Sequence, residues 1–376
     1  MAAPATWSGS LNTNEIFTSL YNMIISQQVF SDNISNPFSS LVDRARIDGS
    51  LFGDTYLKYS TDSLQTYPFS PDSSNQLNVL ATHRPADPHV QAITLDVFRW
   101  IPVTIDNYFT KRAFSTESAF ADFNSVTLQW LRDTKRIYDA TTYNAYVGTV
   151  VSAEGSQTQT VDFTGITAVS TTIDDEAKNR LIAENIAQKL SDIFVEMKDV
   201  STKYNDLGYH RAYNPADLMV IWNADWVNLI RKVGLPTIFN KDGLLEIKDD
   251  NVLPAKYFGT VASSTTSGST YTSLIEQEYG GSHYWAGESV TVSANNDLKD
   301  KVFTPTASAG IASGNNNSVI CKIIHKNSIP YMSGFETETT FINGKNLSEN
   351  HYLHFGHNTL KYLYNYPLVT VKAKTQ

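Results

Sequence analysis

"STESAFADFNSVTLQWLRDTKRIYDATTYNAYVG", residues 115–148, runs without a proline or an internal glycine until Gly148. Ser115 or Thr116 is placed to cap a helix. Glu117 falls in the first turn, where the positive end of the peptide dipoles favours an acid. Phe120, Phe123, Trp130, Ile137 and Ala145, with Leu131 and Tyr138 beside two of them, recur near one face of a 3.6-residue period. A helix over 116–147 is roughly 48 Å long at about 1.5 Å per residue. That exceeds the ordinary globular helix and predicts a spine across which other elements lie.

Upstream, "LVDRARIDGSLFGDTYLKYSTDSL" (41–64) and "HVQAITLDVFRWIPVTIDNYF" (89–109) alternate with period two and read as strands. Between them lies a stretch full of Pro, Ser, Asn and Asp, so the pair predicts a hairpin that projects from the body. Residues 1 to about 40 are polar with one short apolar patch and read as an arm. Downstream, Thr172 caps a second helix whose first turn holds Asp174, Asp175 and Glu176. Its stripe of Ile182, Ile186, Leu190, Ile193, Met197 and Val200 predicts core packing. "DLMVIW" (217–222) predicts a buried strand, Asn223 an N-cap, and the segment up to Gly234 a short helix. Residues 260–318 turn rich in Ser, Thr, Gly and Asn and predict an exposed β insertion, and the chain ends in strands. No internal repeat is visible.

At 376 residues the chain exceeds what one hydrophobic core usually organises. A net charge of −9, with no dense run of Lys and Arg, argues against a dedicated nucleic-acid binder. Cys321 is the single cysteine, so stability is expected from packing or from association with other chains. The N-terminus lacks a charged-then-apolar leader, and no stretch is apolar enough to cross a bilayer. Synthesis and folding in a cytoplasm are expected, with no membrane partner.

The histidines were tested for metal chemistry. "ENHYLHFGHNTL" (349–360) places His351, His354 and His357 three apart. On a strand His351 and His357 share one face while His354 points to the other; on a helix all three drift around the cylinder. Neither geometry gathers three ligands, so a two-sided aromatic strand is expected rather than a metal site. Cys321 lies four residues before His325, but the alternation makes it a small buried strand residue. Ser282 lacks the second glycine of a nucleophile elbow. Phosphate-loop, dinucleotide and EF-hand motifs are absent from the sequence. Spacing between carboxylates cannot be read from sequence, so a glycosidase pair is neither supported nor excluded. No catalytic residue, cofactor or metal is predicted; the expectation is a protein that is not an enzyme.

The order of elements, a projecting hairpin, a very long helix, a second helix, a strand–helix unit and a late return of strands, resembles the major capsid protein of tailed double-stranded-DNA phages, the Hong Kong 97-type fold. The pattern is most similar to that of small short-tailed phages. Carrying the resemblance are residues 41–64, 104–151, 213–245 and 325–357. It implies an α+β fold with an N-terminal arm over 1–42 and an extended loop over 43–106. A peripheral domain with the spine helix takes 107–172 and an axial domain 173–260. The Ser/Thr-rich β insertion falls over 261–317, and 318–376 supplies the return strands of both domains.

The resemblance also implies function: a virion shell subunit, assembled in the host cytoplasm, that joins copies of itself as pentamers and hexamers. The shell encloses double-stranded DNA non-specifically, with a separate scaffolding protein and a portal as partners. Leu51, Phe52, Tyr56 and Tyr59 are candidates for apolar inter-subunit contact, with Arg44, Arg46 and Lys58 meeting acids on the next chain; packing within their own subunit is as well supported. Connections near Gly148, Gly208 and Gly234 are expected to act as hinges. The alternatives are a nanocompartment shell of the same fold, or a β-rich adhesion protein suggested by the Ser/Thr/Gly stretch.

Overall fold

A computed structural model describes residues 39–49, 53–66, 82, 84–106, 117–163, 175–232, 251–258, 270–273, 277–279, 282–284, 288–291, 303–305, 319–345 and 347–374. In chain order the elements are helix α1 (Ser39–Ala45), strands β1 (Arg46–Asp48), β2 (Thr55–Ser60) and β3 (His89–Asp106), and helix α2 (Glu117–Thr149). Strand β4 (Thr158–Asp162), helix α3 (Asp175–Lys198), strand β5 (Leu218–Asn223), helix α4 (Ala224–Lys232) and strand β6 (Val252–Leu253) follow. The Ser/Thr-rich region contributes short strands β7 (Thr270–Ser273), β8 (Gln277–Tyr279), β9 (Ser282–Tyr284), β10 (Ser289–Thr291) and β11 (Phe303–Pro305). The chain closes with β12 (Val319–His325), β13 (Tyr331–Asn343), β14 (Ser348–Asn358) and β15 (Leu368–Lys374).

Two five-stranded sheets organise the body. The first has the order β1-β13-β14-β3-β2 and the second β4-β15-β12-β5-β6. Between Val319 and Lys374 the chain lays β12 in the second sheet, crosses to the first for β13 and β14, and returns for β15. The insertion strands pair among themselves, as β10-β7-β11 and β8-β9.

The second sheet is apolar on both faces. Against one face α3 packs Ala183, Ile186, Leu190, Ile193, Phe194 and Met197 onto Trp222, Ile323, Val369 and Val371. Each of the larger side chains removed from water stabilises by about 1.5–3 kcal/mol. The expected stripe of α3 is therefore internal, except Val200, which lies past the helix end and is exposed. Against the other face lie α1 and the end of α2, with Leu41, Val42, Tyr143, Tyr146 and Val147 meeting Ile221, Ile324 and Leu368. Strand β5 and helix α4 meet at Asn223, whose Oδ1 accepts from Asp225 N at 3.2 Å while its Nδ2 donates to Val319 O at 2.9 Å. The residue expected to cap the helix does so, and also ties the cap to β12.

The spine helix spans Glu117–Thr149. Leu131 and Ala145 are buried and Tyr138 half-buried, but Trp130 and Ile137, expected on the same buried face, are exposed. Asp133, Lys135 and Asp139 are buried in their place: the first sheet supplies partners for Lys135 and Asp139, and Arg136 of the same helix stands 4.0 Å from Asp133. Lys135 Nζ reaches Glu336 at 2.7 Å, and Asp139 accepts from Tyr331 OH at 2.6 Å. The side chains of Phe120 and Phe123 lie outside the described set.

At Gly148 the spine helix meets the Ala255–Tyr257 turn so closely that an added Cβ would stand 2.1 Å from Tyr257 O. Beside it Lys322, fully buried on β12, donates to Val147 O at 3.0 Å and Val150 O at 2.5 Å. Burial holds the amine well below the usual lysine range. The N–H donors of the amine satisfy carbonyls that a helix end otherwise leaves bare. Gly148, expected as a hinge, is instead a close contact in a fastened junction. Gly208 takes φ +67° in open space, within a turn bridged by Asn205 to both the N and the O of Tyr209. Gly234 lies outside the described residues.

Candidate assembly interface

The segment expected as a projecting hairpin divides in two. Leu95–Asp106 of β3 pairs with β14 along its whole length and is a central strand of the first sheet. Among the described residues only Thr55–Ser60 and His89–Thr94 form a two-stranded stem, which continues past the end of β14. Residues 50–52, 67–81 and 83 of the expected extended loop lie outside the described residues. On one face of the stretch Ile101–Ile105, Ile101 and Val103 are half-buried and Ile105 is buried, and residues 39–48 pack as α1 and β1.

On the stem, register puts Leu57 and Tyr59 beside Val90 on one face, and Tyr56 on the other. All four are exposed, Tyr59 by 59%. Lys58 places its Nζ 5.4 Å from the centre of the Tyr366 ring. Of the seven residues predicted to contact another copy, Tyr56 and Tyr59 are thus presented outward, and Lys58 is half-buried against its own chain. Arg44 donates to Asn251 Oδ1 at 2.9 Å. Arg46 donates to Ser333 Oγ at 3.0 Å, faces Asp139 at 3.6 Å and lies over the Tyr331 ring. The charge of Arg46 is therefore used inside the subunit. Leu51 and Phe52 lie outside the described residues.

The sequence reading missed further exposed apolar groups. On α2, Trp130 (40% exposed) and Ile137 are seven residues apart and share a face turned to solvent. On the face of the first sheet opposite α2, Phe98 stacks on His354 at 5.7 Å and meets Phe335 at 5.3 Å. Trp100 and Phe341 flank Tyr352 at 5.5 and 6.0 Å. Trp100 is 54% and Phe341 63% exposed, and next to Phe341 the tip of the β13–β14 hairpin exposes Ile342 and Leu347. A one-sided antiparallel sheet normally turns polar residues to water. The signal was present but ambiguous: apart from Arg99, residues 97–103 are apolar on both faces, so alternation did not say which face is covered.

The histidine strand adopts the expected alternation. His351 and His357 face α2 and are buried, and His354 points the other way. The Asn358 carbonyl can only accept, so at 2.9 Å it fixes the proton of His357 on Nδ1. Nε2 then accepts from Tyr138 OH at 2.9 Å. Burial holds this imidazole below the ordinary histidine range. His351 Nδ1 is engaged with Thr340 Oγ1 at 3.1 Å. Cys321 is buried, which pushes its thiol up and keeps it protonated. Among the described residues no three His, Cys, Asp or Glu side chains gather in a cluster able to hold a metal ion. Phe98, Trp100 and Phe341 on the sheet face opposite α2 offer uncharged contact area.

Comparison with known proteins agrees with that chemistry. The family model of the Phi29-like phage major capsid protein matches residues 5–365. Among solved structures, the chain is similar to one in the capsid structure of Staphylococcus phage Andhra, with a TM-score of 0.58 at 12% identity. That match covers 100% of this chain and 96% of the other. It is also similar to a chain from the structure of the head fiber and inner core protein gp22 of native bacteriophage P68. There the TM-score is 0.56 at 15% identity, over 92% of this chain and 87% of the other. At these identities the likeness is one of fold. No curated protein matches.

Proposed function

The chain belongs to the Phi29-like phage major capsid protein family and is a shell protein of the virion, and from that premise we propose how copies hold one another. The stem carrying Tyr56, Leu57 and Tyr59 lies across the spine helix of a neighbouring copy, against Trp130 and Ile137. The observation that carries this is the pair of uncovered apolar surfaces, one on each side of the contact, in a chain that exists to associate. Burying the exposed half of a tyrosine or tryptophan, roughly 75–125 Å², contributes about 2–3 kcal/mol. Each such contact is weak alone, and it repeats around every ring.

Closed shells require the chain in rings of five and six. The net charge of −9 suits a wall that retains DNA by enclosure rather than by phosphate contacts. A separate scaffolding protein and a portal are the partners this mode of assembly calls for, with assembly in the host cytoplasm. The test is a pair of variants, Tyr59→Ser and Trp130→Ser, expressed with the accompanying head proteins. Both subunits should stay folded, with assembled particles reduced about tenfold, since about 1.4 kcal/mol per contact suffices for that factor. Wild-type particle yield in both would show that the stem does not grip the helix.

A further inference from the structure

We propose that Asp62 and Gln91 are positioning residues that fix the angle at which the stem is presented to a neighbouring copy, and so set the curvature with which copies join. This rests on the stem being the gripping element. A two-stranded ribbon running past the end of its sheet twists easily, and its own ladder does not fix its direction. Here each strand is tied to a different part of the body. Just past β2, the Asp62 carboxylate accepts from His210 N at 2.9 Å and lies 3.4 Å from His210 Nδ1, while the Arg211 guanidinium donates to Thr61 O. On β3, the Gln91 amide works in both directions, donating to Tyr362 O at 3.3 Å and accepting from Tyr364 N at 2.8 Å. The Tyr364 and Tyr366 rings back this contact against His89 and Lys58.

The two anchoring segments are themselves joined. Asp206 accepts from Tyr362 OH at 2.6 Å, Ser152 Oγ at 2.5 Å and Gln157 Nε2 at 2.5 Å, and its N–H donates to Tyr364 O at 2.9 Å. Ser152 and Gln157 lie on the stretch that leaves the spine helix. One carboxylate therefore connects the 205–211 turn, the 362–366 segment and the exit of the spine helix, and the stem is fastened to that unit on both strands, at Gln91 along β3 and at Asp62 just past the far end of β2. Grip and spine move as one body, so the angle between the gripping surface of a copy and the surface it offers is built in.

The experiment uses the full chain with the accompanying head proteins. Asp62→Ala, Gln91→Met, the double variant and Asp62→Asn are compared by particle diameter in electron micrographs and by amide exchange of the free subunit. The His210 and Tyr364 amides should exchange about tenfold faster when their acceptors are removed. Particles should still form, with the fraction at wild-type diameter down about fivefold, because closure depends on a fixed angle. Asp62→Asn, which keeps the acceptor oxygen, should restore the wild-type diameter. Unchanged diameters, unchanged exchange, or failure of the Asn variant to rescue overturns the proposal; so does a folded double variant that makes no particles, since the pair then acts in contact rather than angle. The single variants keep the test open should the double one not fold. If Tyr59→Ser and Trp130→Ser abolish particles while these variants keep their diameter, positioning falls alone; if those two assemble normally, the grip itself is wrong.

Discussion

Gly148→Ala separates two views of the spine helix end by the sign of its effect. In an ordinary helix the change is stabilising by about 1 kcal/mol, because alanine loses less backbone freedom than glycine. Here the new Cβ would lie 2.1 Å from Tyr257 O and 2.6 Å from Tyr257 C. That is more than an ångström inside ordinary contact at about 3.5 Å. The obstructing atoms are backbone, so no side-chain rotation relieves the overlap. Nor can the helix end withdraw cheaply, because Lys322 holds Val147 O and Val150 O. Overpacking of this kind costs about 1–3 kcal/mol, and loosening a buried carbonyl costs a similar amount. Taking about 3 kcal/mol against the gain of about 1 leaves the variant less stable by about 2 kcal/mol. With a urea slope of about 3 kcal/mol per molar, the unfolding midpoint of the free subunit should fall by about 0.7 M at constant slope. An equal or higher midpoint would refute the reasoning and return Gly148 to the role of a free hinge.

Two further outcomes are expected. His357 sits in the fold with its basicity depressed, chiefly by burial, so the unfolded chain binds more protons as pH drops. Its stabilising contribution is complete above the ordinary histidine value of about 6.5 and is lost below it; thermal melts should fall from there downward, less steeply in His357→Gln, and parallel curves for both proteins would contradict this. Tyr331→Phe removes the 2.6 Å bond to the buried Asp139 carboxylate and should cost about 1.5–3 kcal/mol in urea unfolding; a loss below about 0.5 kcal/mol, within the range of an ordinary surface substitution, would mean that Arg46 suffices for that charge.

Much of the backbone was legible because its signals are local. The span of α2, the stripe of α3, the cap at Asn223 and the two-sided histidine strand follow from spacing, and spacing governs backbone hydrogen bonding within a few residues. Of the contact candidates, Tyr56 and Tyr59 are exposed on the stem. Which surfaces are covered is a different kind of fact. Trp130 and Ile137 carry the periodicity of a core face, yet Asp133, Lys135 and Asp139 are buried instead. The partners of Lys135 and Asp139, Glu336 and Tyr331, arrive from about two hundred residues away. Arg46 is engaged within its own chain for the same reason, by Ser333 and Asp139. Lys322 reads as an unlikely core residue until the end of the spine helix is laid over it. Local sequence determines which elements form and where they stop. Only the tertiary arrangement decides which face is left to water, because burial and charge satisfaction depend on groups distant in the chain.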